Sequence, residues 1–425
     1  MSVHVAHAAS LHGSLAVPGD KSSSHRALLL SALAPGVSTV HGLSPGLDVA
    51  ATSAIVVQLG ARRHDEDGAA VIEGPEEGLH PSGADLDCAN SGTTMRLVAG
   101  VSAAIEGEHT LVGDQSLSRR PMDRVAVPLT LMGARLRGQG ERTTAPLHVR
   151  GSARLAHVDY RVPVASAQVK SAIMFAALRG DGPTTVHEDV RTRTTTEDMF
   201  ARCGLQVTSA DEGEGCVVRV SPGRPTPTTW RIPGDPSQAA FFAVLGAVHD
   251  CAVVEVTSID ASPQRIGFVE VLARMGAALA LEPLGDGVRL VSQSSQLRGT
   301  EVFAREVPSL DEVPVLCVAA AAASGVSAFR EMGELRVKES DRFAQSLALA
   351  LALGCRVWEE GDDFFVEGLD SASAFAPFAF DAALDHRLVM ASAVAGCAGN
   401  GCDISGADTV ASSYPDFFVD LAALT

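Results

Sequence analysis

The sequence predicts an α/β protein of two similar domains, each built from three small repeats. Three observations carry this expectation. The chain repeats itself at roughly half its length, a finer repeat of about 70 residues runs inside each half, and several units close a helix on a near-identical glycine-containing tripeptide.

The coarse repeat is PGDKSSSHRALLL at 18–30, echoed by PGDPSQAAFFAV at 233–244, so that Asp20 corresponds to Asp235. The two Pro-Gly-Asp segments predict two chain crossings. One domain then comprises 1–18 with 235–425 and is completed by an N-terminal strand; the other comprises 19–234.

Within the halves, small or polar residues suited to helix N-caps lead into apolar helices. They are SSSHRALLLSALAPG, NSGTTMRLVAGVSAAIEG, ASAQVKSAIMFAALRG, DPSQAAFFAVLGAVHD, LDEVPVLCVAAAAASG and DHRLVMASAVAGCAG, starting near Ser22, Asn90, Ala165, Asp235, Leu310 and Asp385. Amphipathic helices alternate with them, and four end alike: VAATSAIVVQLGA, DRVAVPLTLMGA, IGFVEVLARMGA and SLALALALGC. A glycine there suits a left-handed C-cap leading into a strand. AAVIEG, APLHVRG, GCVVRVSPG, GVRLVS and FFVEGL read as short strands between glycine and polar turns. Each unit thus holds two helices and three or four strands.

Hydrophobic residues form 46% of the 425 and charged residues 20%, enough apolar surface to offset the entropy of folding throughout. The formal charge of −18 disfavours nucleic acid and anionic membranes as partners. The eight cysteines include no CxxC pair, and most lie in apolar stretches, as reduced thiols of a cytoplasmic protein do. The N-terminal stretch has neither the basic start nor the apolar run of a secretory leader, and no apolar run is long enough to span a bilayer. Histidines show no HxH or HxxxH grouping, so no metal is expected. No GxGxxG follows a strand, so no dinucleotide cofactor is expected either.

The chemistry gathers at helix starts. GDKSSSHR sets Lys21, Ser22 and Arg26 about one helix N-terminus, where free N–H groups and the helix dipole favour a phosphate or carboxylate. A phosphate-binding P-loop is excluded, because Asp20 stands where that motif needs glycine directly before its lysine. NSGTTMR supplies Asn90, Ser91, Gly92, Thr93 and Arg96, with Gly92 allowing close ligand approach. GDQSLSRRPMDR puts Arg119 and Arg120 at the next helix start, PVASAQVKS adds Ser166 and Gln168, and TRTTTED adds Arg193. In the second half, Asp311 and Glu312 open an apolar helix, ELRVKESDR places Lys338 and Arg342 at i, i+4 beside Glu339, a mixture that usually marks an exposed, salt-bridged helical face, and Asp385-His386-Arg387 opens another helix. If equivalent helices turn their N-termini to one cleft, an acidic protein acquires a local anion trap.

In this order, PGDKSSSHRALLL, NSGTTMRL, RRPMDR, SAQVKSA, LDEVPVL, ELRVKESDR, DHRLVMA and SYPDFF closely resemble the 3-phosphoshikimate 1-carboxyvinyltransferase family, over essentially the whole chain. The resemblance implies two domains of three βαβαββ-type units closing on a central cleft, and a monomer. It implies transfer of the enolpyruvyl group of phosphoenolpyruvate to the 5-hydroxyl of shikimate 3-phosphate, with release of phosphate, on the route to chorismate and the aromatic amino acids. By the same resemblance, Lys21, Ser22, Arg26, Ser166, Ala167, Gln168, Arg193, Asp311 and Lys338 surround shikimate 3-phosphate. Lys21, Gly92, Arg120, Gln168, Arg342 and Arg387 hold phosphoenolpyruvate. Asp311 is the expected base, and Glu339 with Lys21 the expected proton-handling pair.

The chain departs from other members at four positions. Ser412 stands where some carry a lysine that touches phosphoenolpyruvate, Ala167 and Arg193 replace a serine and a different substrate-proximal group, and Glu334 replaces an asparagine. Gly92 leaves room for glyphosate, which competes with phosphoenolpyruvate in this family. Two alternatives stand beside this reading. One is the sister enolpyruvyl transferase acting on UDP-N-acetylglucosamine, although VGDQSLSRR lacks its loop cysteine and GDKSSSHR differs from its lysine-asparagine start. The other is a non-catalytic repeat protein that binds phosphorylated metabolites.

Overall fold

The computed structural model describes residues 1–285 and 287–425. The chain divides into two compact units, Lys21–Ile232 and Met1–Asp20 with Pro233–Thr425. Both Pro-Gly-Asp segments thus fall in the same unit. They pair with each other: Gly19 bridges Gly234, the Asp20 N–H donates to Pro233 O at 2.7 Å, and the Asp235 N–H donates to Pro18 O at 2.9 Å. Arg265 ties both carboxylates together, 2.6 Å from Asp20 and 2.7 Å from Asp235, in a site with almost no solvent access. The equivalence of Asp20 and Asp235 read from the repeat is therefore a physical one.

The unit 21–232 carries helices α1 (Lys21–Leu33), α2 (Leu47–Gln58), α3 (Gly92–Ala103), α4 (Asp123–Leu131), α5 (Ala167–Ala177) and α6 (Thr195–Arg202). Its three sheets share one plan. In the first, Thr229–Arg231 runs parallel to Gly36–His41, which pairs antiparallel with Ala69–Gly74, itself antiparallel to Arg62–Glu66. The same parallel, antiparallel, antiparallel order recurs in Leu86–Asp87, Gly107–Val112, Thr144–Gly151 and Arg135–Gln139, and in Asp159–Val162, Thr184–Glu188, Gly215–Val220 and Val207–Glu212.

The second unit carries α7 (Pro236–Val248), α8 (Gly267–Arg274), α9 (Val313–Ala322), α10 (Arg342–Ala352), α11 (His386–Ala398) and α12 (Phe417–Ala422). Two of its sheets follow the same plan. The last is three-stranded among the described residues: Phe378–Asp381 is parallel to Cys402–Ser405, whose antiparallel partner is the N-terminal strand Ser2–Val5.

Hydrophobicity sorts the helices. Every residue of α7, α9 and α11 is buried, and the three pack on one another at the centre of their unit; α1, α3 and α5 play that part in the other. A helix apolar all round has no other place. The alternating helices bury one stripe only, as Phe268, Val271 and Leu272 of α8 do. Gly60, Gly133, Gly276 and Gly354 all have positive φ just past α2, α4, α8 and α10, where the four similar tripeptides place them. At Gly74 and Gly151 the need is space: a Cβ would lie 2.0 Å from Ala34 O and 2.1 Å from Ile105 O, so a strand end can meet the end of a central helix only without a side chain.

The candidate active site residues and their family

The N-termini of α1, α3 and α5 gather the predicted residues of unit 21–232. Lys21 opens α1 and its ammonium lies 2.9 Å from Asp48 on α2. Arg26, one turn on, is buried: it donates to Thr196 Oγ1 at 2.6 Å, Ser171 Oγ at 2.7 Å and the Ser22 carbonyl at 2.8 Å. Arg193 donates to Ser22 Oγ at 3.3 Å. Ser166 caps α5 by accepting from the Val169 N–H, with Ala167 the first helical residue. Gln168 links two helix starts, accepting from Arg96 at 2.5 Å and donating to Thr93 Oγ1 at 2.9 Å.

Arg120 is buried and donates to Asn90 Oδ1 at 2.7 Å, whereas Arg119 points to solvent. The pair does not open a helix as expected: Leu117–Arg119 is a short 3-10 turn, and α4 begins beyond Pro121 at Asp123. Gly92 is the first residue of α3, beneath two guanidiniums. A Cβ there would sit 2.9 Å from Arg96 Nη1 and 3.2 Å from Arg120 Nη1.

In the other unit the centre is Arg342, 1% exposed at its side chain. It contacts Asp311 and Asp385 at 2.8 Å each and Glu339 at 2.7 Å. Burial opposes its charge, but Asp385, Glu339 and Asp311 outweigh that and push its pKa still higher. Arg387, equally buried, reaches the other Asp311 oxygen at 3.2 Å. Lys338 donates to the Ser309 carbonyl at 3.2 Å.

Of two expectations here, one is met and one needs correction. The helix does open at this pair: Glu312 is the N-cap of α9 and its carbonyl accepts from the Leu316 N–H at 2.9 Å, although its side chain does not cap the helix. Glu312 instead accepts from Ser237 Oγ and Ser309 Oγ, both at 2.5 Å. Lys338 and Arg342 do not share an exposed helical face: Gly333–Val337 is a 3-10 turn, Lys338 follows it, and α10 begins at the buried Arg342. Four-residue spacing implies a common face only where the backbone is helical between.

Sequence reasoning missed Asp48, whose only sign was its place in the first turn of α2, and the Arg265 knot, whose sign was the duplicated Pro-Gly-Asp. Asp385 does cap α11, but it also carries Arg342. Ser412 donates to Thr409 O within a 3-10 turn. Among the described residues no cluster of histidine, cysteine or acidic side chains is arranged to hold a metal, and no helix is long and apolar enough to cross a membrane.

Comparison with known proteins matches this arrangement over its full length. The profile of the family described as EPSP synthase (3-phosphoshikimate 1-carboxyvinyltransferase) matches residues 5–421. A 3-phosphoshikimate 1-carboxyvinyltransferase of Bacillus thuringiensis is 38% identical over 423 residues, covering 97% of each chain. One from Streptococcus equi is 38% identical over 424 residues, covering 98% of each. The solved EPSP synthase of Acinetobacter baumannii superposes with a TM-score of 0.85 at 34% identity, over 100% of this chain and 98% of that one. The enolpyruvyl transferase NikO of Streptomyces tendae, 16% identical with a TM-score of 0.75, covers 99% and 96% and shares the fold. The chain therefore belongs to the EPSP synthase family and is a transferase that moves the carboxyvinyl group of phosphoenolpyruvate to shikimate 3-phosphate.

Proposed function

We propose that Lys21, Ser22, Arg26, Ser166, Ala167, Gln168, Arg193 and Lys338 bind shikimate 3-phosphate and that Lys21, Gly92, Gln168, Arg120, Arg342 and Arg387 bind phosphoenolpyruvate, with Asp311 as general base. The observation that carries this reading is the double hold on Asp311: Arg342 and Arg387, both 1% exposed, place guanidiniums on its two oxygens. Arginine forks suit carboxylate and phosphate equally well. A phosphoenolpyruvate anion takes over one or both guanidiniums, and Asp311 is left to accept the proton of the 5-hydroxyl.

The oxygen then attacks C2 of the enol while C3 gains a proton, which Glu339 and Lys21 handle. The tetrahedral adduct collapses as its C3 methyl group gives a proton back and phosphate leaves C2, which restores the enol double bond. Arg120, Arg342 and Arg387 stabilise the charge on the carboxylate and on the departing phosphate, most effectively where water is excluded. Asp311→Ala removes the base, and its turnover in a phosphate-release assay falls by about 100-fold or more. Near-wild-type turnover would refute the assignment.

The enzyme acts as a monomer in a reducing cytoplasm. Seven buried free thiols support the compartment, and the charge of −18 supports the absence of nucleic-acid and anionic-membrane partners. Light scattering after gel filtration tests the oligomeric state.

A further inference from the structure

Lys170 faces no proposed substrate, yet its side chain has no exposed surface at all. A buried ammonium is costly unless it is paired. Its Nζ lies 2.7 Å from Glu188 Oε2 and 2.7 Å from Glu197 Oε1, on carboxylates that are 0% and 6% exposed. Burial presses the ammonium toward neutrality, but the two carboxylates outweigh it and raise its pKa.

The position of these groups in the chain gives the triad its meaning. Glu188 is the last residue of the strand Thr184–Glu188, and Glu197 lies in the first turn of α6. The connection between them, 189–194, carries Arg193. One cation on α5 therefore closes the base of that loop from both sides. Glu188 further accepts from the Thr192 hydroxyl and, at 3.4 Å, from the Thr192 N–H, so the clamp reaches the residue next to Arg193. Arg193 in turn meets Ser22 at the start of α1. Well-packed apolar residues generally stabilise a core as well as a buried ionic triad does, so stability alone gives no reason for ions here. A hydrogen bond to Glu188 and an ion pair to Glu197, on two separate elements, do give one, namely geometry.

We infer that Lys170 is a positioning residue for the reaction: by clamping Glu188 and Glu197 to α5 it holds the 189–194 loop so that Arg193 stands ready for shikimate 3-phosphate. This rests on the assignment of Arg193 to that substrate made above.

Lys170→Met alone strands two buried carboxylates, so the variant to use is Lys170→Met with Glu188→Gln and Glu197→Gln, which removes the ions together. It is compared with Arg193→Ala, and with all four changes combined, by steady-state phosphate release after cooperative unfolding has been confirmed for each. Arg193→Ala raises KM for shikimate 3-phosphate by about tenfold or more, the loss of a charge-assisted hydrogen bond. The clamp variant produces a comparable rise, with kcat and KM for phosphoenolpyruvate within about twofold of wild type. Combining it with Arg193→Ala adds little further, because both changes remove one function. A folded clamp variant with unchanged KM, or effects that multiply in the combination, overturns the role of Lys170 while leaving Arg193 assigned. An Arg193→Ala protein with unchanged KM overturns both.

Discussion

Replacing Arg342 by methionine gives the sharpest test of the energetics. The side chain of Arg342 is 1% exposed and that of Asp385 is 0% exposed, and two bonds at 2.8 and 3.1 Å join them. Without the guanidinium, Asp385 keeps, among the described residues, the Ser340 hydroxyl at 3.0 Å and the Arg387 N–H at 2.9 Å. Removing one partner of a buried pair costs about 3–5 kcal/mol, most of it the penalty for the abandoned charge. Asp311 and Glu339, 24% and 22% exposed, regain water and add little. For units of this size about 1 kcal/mol lowers Tm by roughly 2–4 °C, so the variant melts about 6–20 °C lower. Urea denaturation followed by circular dichroism measures the loss. Adding Asp385→Asn removes the abandoned charge and restores a large part of it. A loss under about 1 kcal/mol, or no recovery in the double variant, refutes the argument that Asp385 is what Arg342 chiefly stabilises.

Further outcomes follow from the same geometry. Gly92→Ala pushes a methyl against the ends of Arg96 and Arg120, which are flexible enough to yield; KM for phosphoenolpyruvate rises several-fold with little loss of stability, and an unchanged KM would separate Gly92 from that substrate. Cys251 is the one exposed thiol of the eight, so a thiol reagent labels about one site in the native protein and the rest on denaturation. Burial also raises Cys216 and Cys203 to about 11, which slows them further; rapid labelling of either would contradict the core described. Because the pKa of Lys170 is raised on folding, its stabilisation is present below its unfolded value near 10.4 and is lost as pH rises through the folded one. The stability difference between wild type and the variant carrying Lys170→Met, Glu188→Gln and Glu197→Gln, in which no buried carboxylate is stranded, is therefore flat from about pH 7 to 9 and narrows only above that range, which denaturation at a series of pH values reads directly.

Much of the fold was legible because it repeats. Six apolar helices with polar starts, and four glycines obliged to adopt positive φ, leave a periodic trace that composition alone does not. The N-terminal strand Ser2–Val5 pairs with Cys402–Ser405 of the last repeat, a pairing across about 400 residues that no local periodicity encodes. Lys21, Gly92, Ser166, Arg342 and Arg387 were found at helix N-termini, since the chemistry of anion binding and the requirements of capping select the same positions, whereas Arg120, Arg193 and Lys338 lie in the connections. What escaped was longer in range. Nothing in local spacing pairs Lys21 with Asp48 or Arg342 with Asp385, and the i, i+4 rule misled at Lys338 because a 3-10 turn ends there. Charges read as surface pairs, such as those of ELRVKESDR, become core groups when a helix start is buried, and sequence patterns register charge far better than burial.

The most direct test of the central claim is phosphate release on mixing the protein with phosphoenolpyruvate and shikimate 3-phosphate, each substrate also being supplied alone. Phosphate appears only with the pair, in step with an enolpyruvyl product carried on the 5-oxygen. Silence with the pair, or turnover only when UDP-N-acetylglucosamine replaces shikimate 3-phosphate, would contradict the account.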